Sequence, residues 1–342
     1  MLSIKFNPQQ VTEKFLFELP ERSQDVIIHR YGLDKDAQKN TLDAIGKKYG
    51  VTRERVRQIE NSSLRNIKKS DLFNSIETAA IFNELTEVIK SLGEVVAEEE
   101  LLNYLSDDRQ MQNHLLLLLI LGDAFIKEKE NAEFKNRWFV DKKLSKEVLS
   151  LLKKIHKEFD ENLLLPEEEV VSLVYKNSKF KIRQEDQVRR WLSLSKVIDK
   201  NPFNEWGLAK SPDVRVKGIR SHAYLVVRQN GSPMHFKEVA NMIQKHFSKK
   251  VHVATCHNEL IKDPRFVLVG RGLYALSEWG YTGGIVKDVI RDILKKEGPL
   301  SKDEIIERVL KERYVKGNTV IVNLQNTDLF KKNNDGNYSL IK

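Results

Sequence analysis

Residues 41–68 read TLDAIGKKYGVTRERVRQIENSSLRNIK, and the run VTRERVRQIEN inside them sets three arginines, a glutamate and a glutamine within six positions. Leu42 and Ile45 lie three apart, as on one face of a short helix, and Gly50 supplies the backbone freedom of a tight turn. Thr52 stands where an N-cap is wanted, its hydroxyl able to accept from the free amides of the next turn. Beyond it Val56, Ile59 and Ile67 recur at helical spacing with the small Ser63 between them, which predicts a second helix packed on the first. Arg53, Glu54, Arg57, Gln58 and Asn61 then project from the opposite side. Arginine can fork onto O6 and N7 of guanine, glutamine onto N6 and N7 of adenine, and glutamate can accept from the cytosine amino group. Arginines on the same helix also hold phosphates and fix the register. A merely solvated charged face is the alternative for an isolated helix. The preceding helix, the glycine turn and the cap favour DNA.

The whole chain sets the context. Its 342 residues allow two or three domains with buried cores, and 40% hydrophobic with 31% charged residues fits a globular protein. The longest apolar run, LLLLLILG near residue 115, is too short for a bilayer, so no membrane partner is expected. No signal peptide is recognisable in MLSIKFNPQQ, and the single cysteine, Cys256, fits a reducing cytoplasm. The net charge of +9 is unevenly spread: residues 1–75 carry +4, residues 76–175 carry −9 and the remainder +14. Basic ends around an acidic middle suggest that the ends face polyanions.

LPERSQDVIIHRYGL at 19–33, followed by TLDAIGKKYGVTRERVRQIENSSLRNIKKS at 41–70, strongly resembles region 4 of the housekeeping-type bacterial RNA polymerase sigma factors. In that family the region reads the −35 promoter element through the major groove and docks on the flap of the polymerase β subunit. The resemblance implies base contacts from Arg53, Glu54 and Gln58, with Arg55, Arg57 and Arg30 on or near the DNA backbone. It covers about a fifth of the chain. No counterpart of region 2, which binds core polymerase and melts the −10 element, stands upstream, so a complete sigma factor is not expected.

Beyond residue 75 the chain repeats itself. EVVAEEELLNYL from Glu94, LLLPEEEVVSLV from Leu163, SPMHFKEVANMI from Ser232 and GPLSKDEIIERV from Gly298 align without gaps. Their common glutamates, Glu100, Glu169, Glu238 and Glu304, are spaced by 69, 69 and 66 residues. Each unit closes on an aromatic, Trp138, Trp206, Tyr274 or Tyr338, after a β-type run and a turn, which predicts a hairpin. The glutamates are read as capping residues at the start of each unit's second helix. Helices first and a two-stranded hairpin last predict a winged helix–turn–helix. The fold class is therefore mainly α: a sigma region 4-like helix–turn–helix domain (1–75) followed by four tandem winged-helix domains with short wings, at 76–142, 143–212, 213–282 and 283–342.

The third unit, through IRSHAYLVVRQNGSPMHFKEVANMIQK and RFVLVGRGLYALSEWGY, looks like a HARE-type helix–turn–helix domain, a family that includes the amino-terminal domain of the polymerase delta subunit. The units need not share one job. RQMQNHLLLLLILGD in the first predicts a buried helix, and KGNTVIVNLQNTD in the fourth is nearly uncharged. The second offers Lys181, Arg183, Arg189 and Arg190 for phosphates; the third surrounds HVATCHNELIK with Lys249, Lys250, Lys262, Arg265 and Arg271.

His252, Cys256 and His257 lack a second ligand pair at zinc spacing, so no metal is expected, and GRGLYA at 270 fits a wing turn better than a dinucleotide fingerprint. No P-loop, GxSxG or HExxH occurs, so neither a cofactor nor an enzyme is expected. The preferred reading is a cytoplasmic, nucleoid-associated bacterial transcription factor that binds promoter-like double-stranded DNA and contacts RNA polymerase. Two others stay open: a delta-like polymerase accessory protein with nonspecific DNA contact, and the targeting subunit of a DNA-processing or restriction system.

Overall fold

A computed structural model describes residues 4–161, 163–281, 284–333 and 335–341. The boundary expected at 282/283 lies outside the described residues. Four helices open the chain: α1 (Pro8–Phe17), α2 (Glu21–Tyr31), α3 (Leu42–Tyr49) and α4 (Arg53–Lys69). One order of elements then recurs: helix, short strand, two helices, hairpin. The first repeat is α5 (Ile76–Ser91), β1 (Val95–Ala97), α6 (Glu98–Leu105), α7 (Arg109–Leu121), β2 (Ile126–Glu128) and β3 (Arg137–Phe139). The second is α8 (Lys142–His156), β4 (Leu165–Pro166), α9 (Glu167–Asn177), α10 (Glu185–Ser193), β5 (Ile198–Lys200) and β6 (Glu205–Leu208). The third runs α11 (Ile219–Asn230), β7 (Met234–His235), α12 (Phe236–Phe247), α13 (Val253–Lys262), β8 (Phe266–Gly270) and β9 (Leu273–Leu276). The fourth is α14 (Val286–Glu297), α15 (Lys302–Glu312), α16 (Gly317–Leu324), β10 (Phe330–Lys332) and β11 (Tyr338–Leu340). The protein is mainly helical, and no helix among the described residues is long and apolar enough to cross a membrane.

In the first three repeats the lone strand pairs with the last strand of the hairpin, giving the orders β1-β3-β2, β4-β6-β5 and β7-β9-β8. In the fourth it shrinks to one bridge between Leu300 and Tyr338. The closing aromatics all lie on that shared last strand. Trp138, Trp206 and Tyr274 are buried there, because the central strand of three is covered on its inner face by the helices.

The repeated glutamates sit at the third position of α6, α9, α12 and α15, but only two close a capping box. Glu304 accepts from the Ser301 amide at 2.9 Å and Glu238 from the His235 amide at 3.2 Å. Glu169 follows Pro166, which has no amide to donate. Glu100 instead takes Arg190 at 3.3 Å and the Ser193 hydroxyl at 2.7 Å, so the capping expectation fails in the first two repeats.

The chain divides into two compact bodies: residues 1–199 with 206–209, and residues 200–205 with 210–342. In the first body one apolar core is continuous across the amino-terminal helices and the first repeat, joining Phe15, Leu16, Leu19, Ile27 and Ile67 to Leu115–Leu119 of α7. The leucines surround α7 on every side, and such a helix is stable only when enclosed.

Candidate nucleic-acid interface

The α3–α4 pair is built from its ends inward. Thr41 caps α3, accepting from the Ala44 amide at 3.1 Å, and Thr52 caps α4, accepting from the Arg55 amide at 3.2 Å. Gly50 closes α3 at φ 64°, a left-handed position that costs other residues strain. Gly46 is needed for a different reason: a Cβ there would stand 2.6 Å from the Val51 carbonyl oxygen, so the turn packs directly on the helix backbone. Sequence reasoning passed over Gly46, though a glycine inside a short helix is itself a signal of close approach. Val26, Ile45 and Val56 form a small core under the pair, flanked by Leu42, Tyr49, Val51 and Ile59.

This arrangement leaves Thr52, Arg53, Glu54, Arg55, Arg57, Gln58 and Asn61 exposed together on the first turns of α4. They are not independent. Arg57 forks onto Glu54, its Nε donating to Oε2 at 2.8 Å and its Nη2 to Oε1 at 2.6 Å. That guanidinium holds the Glu54 carboxyl below the usual carboxylate range, so Glu54 stays an acceptor. Arg55 Nη1 donates to Gln58 Oε1 at 3.2 Å, and the Gln58 side chain also hydrogen-bonds Glu54, so the four side chains form one surface network. Arg53 and Asn61 complete a face carrying both donors and acceptors, the chemistry that base edges require.

Arg30 is placed differently from its neighbours in the prediction. It is half-buried, donating through Nε to Glu60 at 3.3 Å and through Nη1 to the Asn40 carbonyl at 3.1 Å. Tyr31 also donates its hydroxyl to Glu60, at 3.0 Å, so α2 holds α4 through one carboxylate. Burial and the facing Glu60 push the Tyr31 hydroxyl pKa up, keeping it a donor. Glu60 was missed in the sequence. Its signal is the spacing, four residues after Val56 and seven before Ile67 on the packed face, where a carboxylate needs a partner.

The secondary cations separate into two groups. Arg189 is held by Glu167, Glu185 and Asp186 at 2.7–2.9 Å, Arg190 by Glu100, and Arg265 by Asp213 and Asp263 at 2.8 Å. All three are tied into the protein's own carboxylates. Lys181 and Arg183 are exposed ahead of α10, with Arg183 3.9 Å from Glu94. Lys250 and Arg271 are exposed, and Lys249, next to Lys250, is half-buried. Cys256 is buried, its thiol pKa pushed up to about 11 by burial, and His257 stacks on Phe236 with ring centroids 4.2 Å apart. Among the described residues no cluster of His, Cys, Asp or Glu is arranged to hold a metal.

Residues 15–69 match the family Sigma-70, region 4, and are a segment of that kind. The RNA polymerase sigma factor RpoS of Coxiella burnetii is 45% identical over 60 residues, 18% of this chain and 17% of that protein. The sigma factor SigA of Nostoc sp. is 50% identical over 56 residues, 16% of this chain and 14% of that one. The sigma factor RpoD of Helicobacter pylori is 48% identical over 56 residues, 16% of this chain and 8% of that one. The chain therefore spans less than a fifth of the length of these relatives.

Proposed function

We propose that this protein binds promoter-type duplex DNA by setting α4 in the major groove, as a transcription factor that also meets RNA polymerase. The observation that carries the proposal is the exposed face of Arg53, Glu54, Arg55, Arg57, Gln58 and Asn61 on a capped helix inside a sigma region 4 segment. Glu54, fixed by Arg57, is presented to cytosine; Arg53 is placed to fork onto guanine; Gln58, held in the surface network with Arg55 and Glu54, exchanges those bonds for N6 and N7 of adenine. Arg30 acts from inside, with Glu60, to hold the angle of α4. The four repeats are read as winged-helix domains, the third of HARE type; what supports this is the recurrent element order and the lone strand paired to the last hairpin strand.

Binding to promoter fragments and to shuffled controls, with Arg53→Ala and Gln58→Ala, tests the proposal. Losing one bidentate base contact costs about 1–3 kcal/mol, so each variant is expected to lose roughly 5- to 150-fold on its preferred site and little on the controls. Unchanged sequence preference in both variants removes base reading.

A second reading, a polymerase accessory protein, is favoured by one observation. Phe17 on α1 is 88% exposed and Ile76 on α5 is 90% exposed. Aromatic side chains such as Phe17 are enriched where proteins meet. The apolar face of the region 4 segment that meets α7 is already filled from within the chain, so polymerase would be met elsewhere, at Phe17 or beyond. Recovery of polymerase subunits from nuclease-treated lysate by the parent chain but not by Phe17→Ser supports this reading; equal recovery by both refutes that contact.

A further inference from the structure

We propose that the third repeat carries a second, sequence-tolerant site for the duplex phosphate backbone, on the outer face of α13 between Lys249 and Lys250 on one side and Arg271 on the other. Duplex DNA as ligand follows from the function proposed above. The site itself is argued from charge and geometry.

The charge is uncompensated. Residues 211–280 hold eleven lysines and arginines against five carboxylates. Each of the five is already bonded: Asp213 and Asp263 to Arg265, Glu259 to Arg220, Glu278 to Arg228, and Glu238 to the His235 amide. Three arginines thus use up four carboxylates. The other eight cations, Lys249, Lys250 and Arg271 among them, form no ion pair among the described residues. Cations left on one surface without counter-charge raise its potential and draw a polyanion.

The geometry gathers three of them around one helix. Lys249 and Lys250 lie in the segment leading into α13, and Lys249 Nζ donates to the Lys217 carbonyl at 3.3 Å, holding that segment against the chain before α11. Arg271 sits in the turn between β8 and β9. The Gly272 carbonyl of that turn accepts from the Phe236 amide at 3.0 Å, and the Phe236 ring stacks on His257 of α13 at 4.2 Å. A single aromatic ring therefore separates the turn from the helix. Between these cations α13 exposes Ala254, Thr255 and Asn258, short side chains that allow close approach, and its one carboxylate is turned to Arg220.

The equivalent helix of every other repeat lacks this combination. α7 is enclosed by leucine, the arginines of α10 are bound to glutamate and aspartate, and α16 bears no charged residue. The free basic face is thus particular to the third repeat. The three cations lie on segments that flank α13, and on the helix itself only Asn258 and Lys262 could read a base, so the site is assigned to phosphates, which fix position without selecting sequence.

The test is the salt dependence of binding by the full chain. Lys249→Ala/Lys250→Ala/Arg271→Ala is compared with the parent by fluorescence anisotropy on promoter and shuffled duplexes between about 50 and 200 mM salt, the range over which phosphate contacts are resolved. Three lost phosphate contacts are expected to lower the slope of log K against log salt by about 2.7, equally on both duplexes. The ranking of sequences stays as in the parent. Lys249→Arg/Lys250→Arg/Arg271→Lys is expected to restore the slope, which separates charge from damage to the fold. An unchanged slope in the alanine variant, or a loss that the conservative variant fails to rescue, overturns the site. So does a loss of polymerase recovery with unaltered DNA binding, which would assign the surface to protein. Failure of base reading by α4 would instead abolish sequence preference while leaving this slope difference in place.

Discussion

α4 and α7 each follow a shorter helix and each begin on a side-chain cap, Thr52 in one and Asp108 in the other, yet they meet opposite fates. α4 buries one narrow stripe, Val56, Ser63 and Ile67, and gives the rest of its first turns to solvent. α7 buries Leu115–Leu119 and Leu121 and spends even its polar residues on the amino-terminal helices. Asn113 Nδ2 donates to the carbonyls of Gly32 at 2.8 Å and Ala37 at 3.1 Å, Gln110 donates to the Leu33 carbonyl at 3.0 Å, and His114 pairs with the Thr12 hydroxyl at 2.6 Å. A helix–turn–helix is a way of presenting a helix. Composition decides whether the presented face meets a groove or a core. Here the helix of the first repeat has become the support of the reader in front of it.

The comparison breaks most readily at the core. Leu117 is fully buried in α7, and Leu117→Ala is expected to cost about 2–5 kcal/mol by urea unfolding, because the site is packed on all sides and collapses poorly. Since one core spans the reader and the first repeat, the far-ultraviolet and DNA-binding transitions are expected to move together. If the DNA-binding transition stays put, the reader is an independent domain.

Asn113→Leu keeps the branched outline and heavy-atom count and removes the two donors. The carbonyls of Gly32 and Ala37 would be left without that partner, at an expected cost of about 1–3 kcal/mol. A loss below about 0.5 kcal/mol, within the range of ordinary surface substitutions, would mean that the 32–37 loop does not depend on α7.

These two helices also mark how far the sequence could be read. The caps, the turn glycine and the packed face of α4 were legible because each is a local rule acting over a few residues. The leucine run announced that α7 is buried; that its partner is the region 4 segment was invisible, since the pairs joining them are 76 to 102 positions apart. The same limit hid the fate of the arginines. Arg30, Arg189 and Arg190 look like phosphate ligands in composition, but Glu60, Glu167 and Glu100, which claim them, are brought up only by folding.

Acid should loosen the α1–α7 joint. Burial pushes the His114 pKa below its ordinary value, so the folded chain holds its imidazole neutral while the unfolded chain takes a proton near pH 6.5. Between the depressed value and about pH 6.5 the unfolded state binds more protons, and stability falls as pH falls, by at most about 1.4 kcal/mol per pH unit for one such group. His156 and His222 shift in the same direction, also by burial, so the parent is expected to lose stability steeply between pH 6.5 and 5.5. In His114→Asn that slope is expected to be smaller by one proton's share, read from urea midpoints at the two pH values. An identical slope would show that His114 takes up protons alike in the folded and unfolded chain.

The smallest expected effect is the most discriminating. Arg53 and Gln58 are exposed, and neither supports the core beneath α4. Arg53→Ala and Gln58→Ala are each expected to change stability by less than about 0.5 kcal/mol, the usual range for surface substitutions away from caps and cores. Set against Asn113 on α7, this silence is informative. Asn113 and His114 of α7 answer buried groups of their own chain, so removing either takes a partner from a buried group. Arg53 and Gln58 answer only surface groups, Glu54 for the one and Glu54 with Arg55 for the other. A face of long side chains that no buried group of the chain requires is the one proposed above to meet DNA. Loss of more than about 1 kcal/mol in either variant would instead make the face structural, and α4 would then differ from α7 only in which surface it holds together.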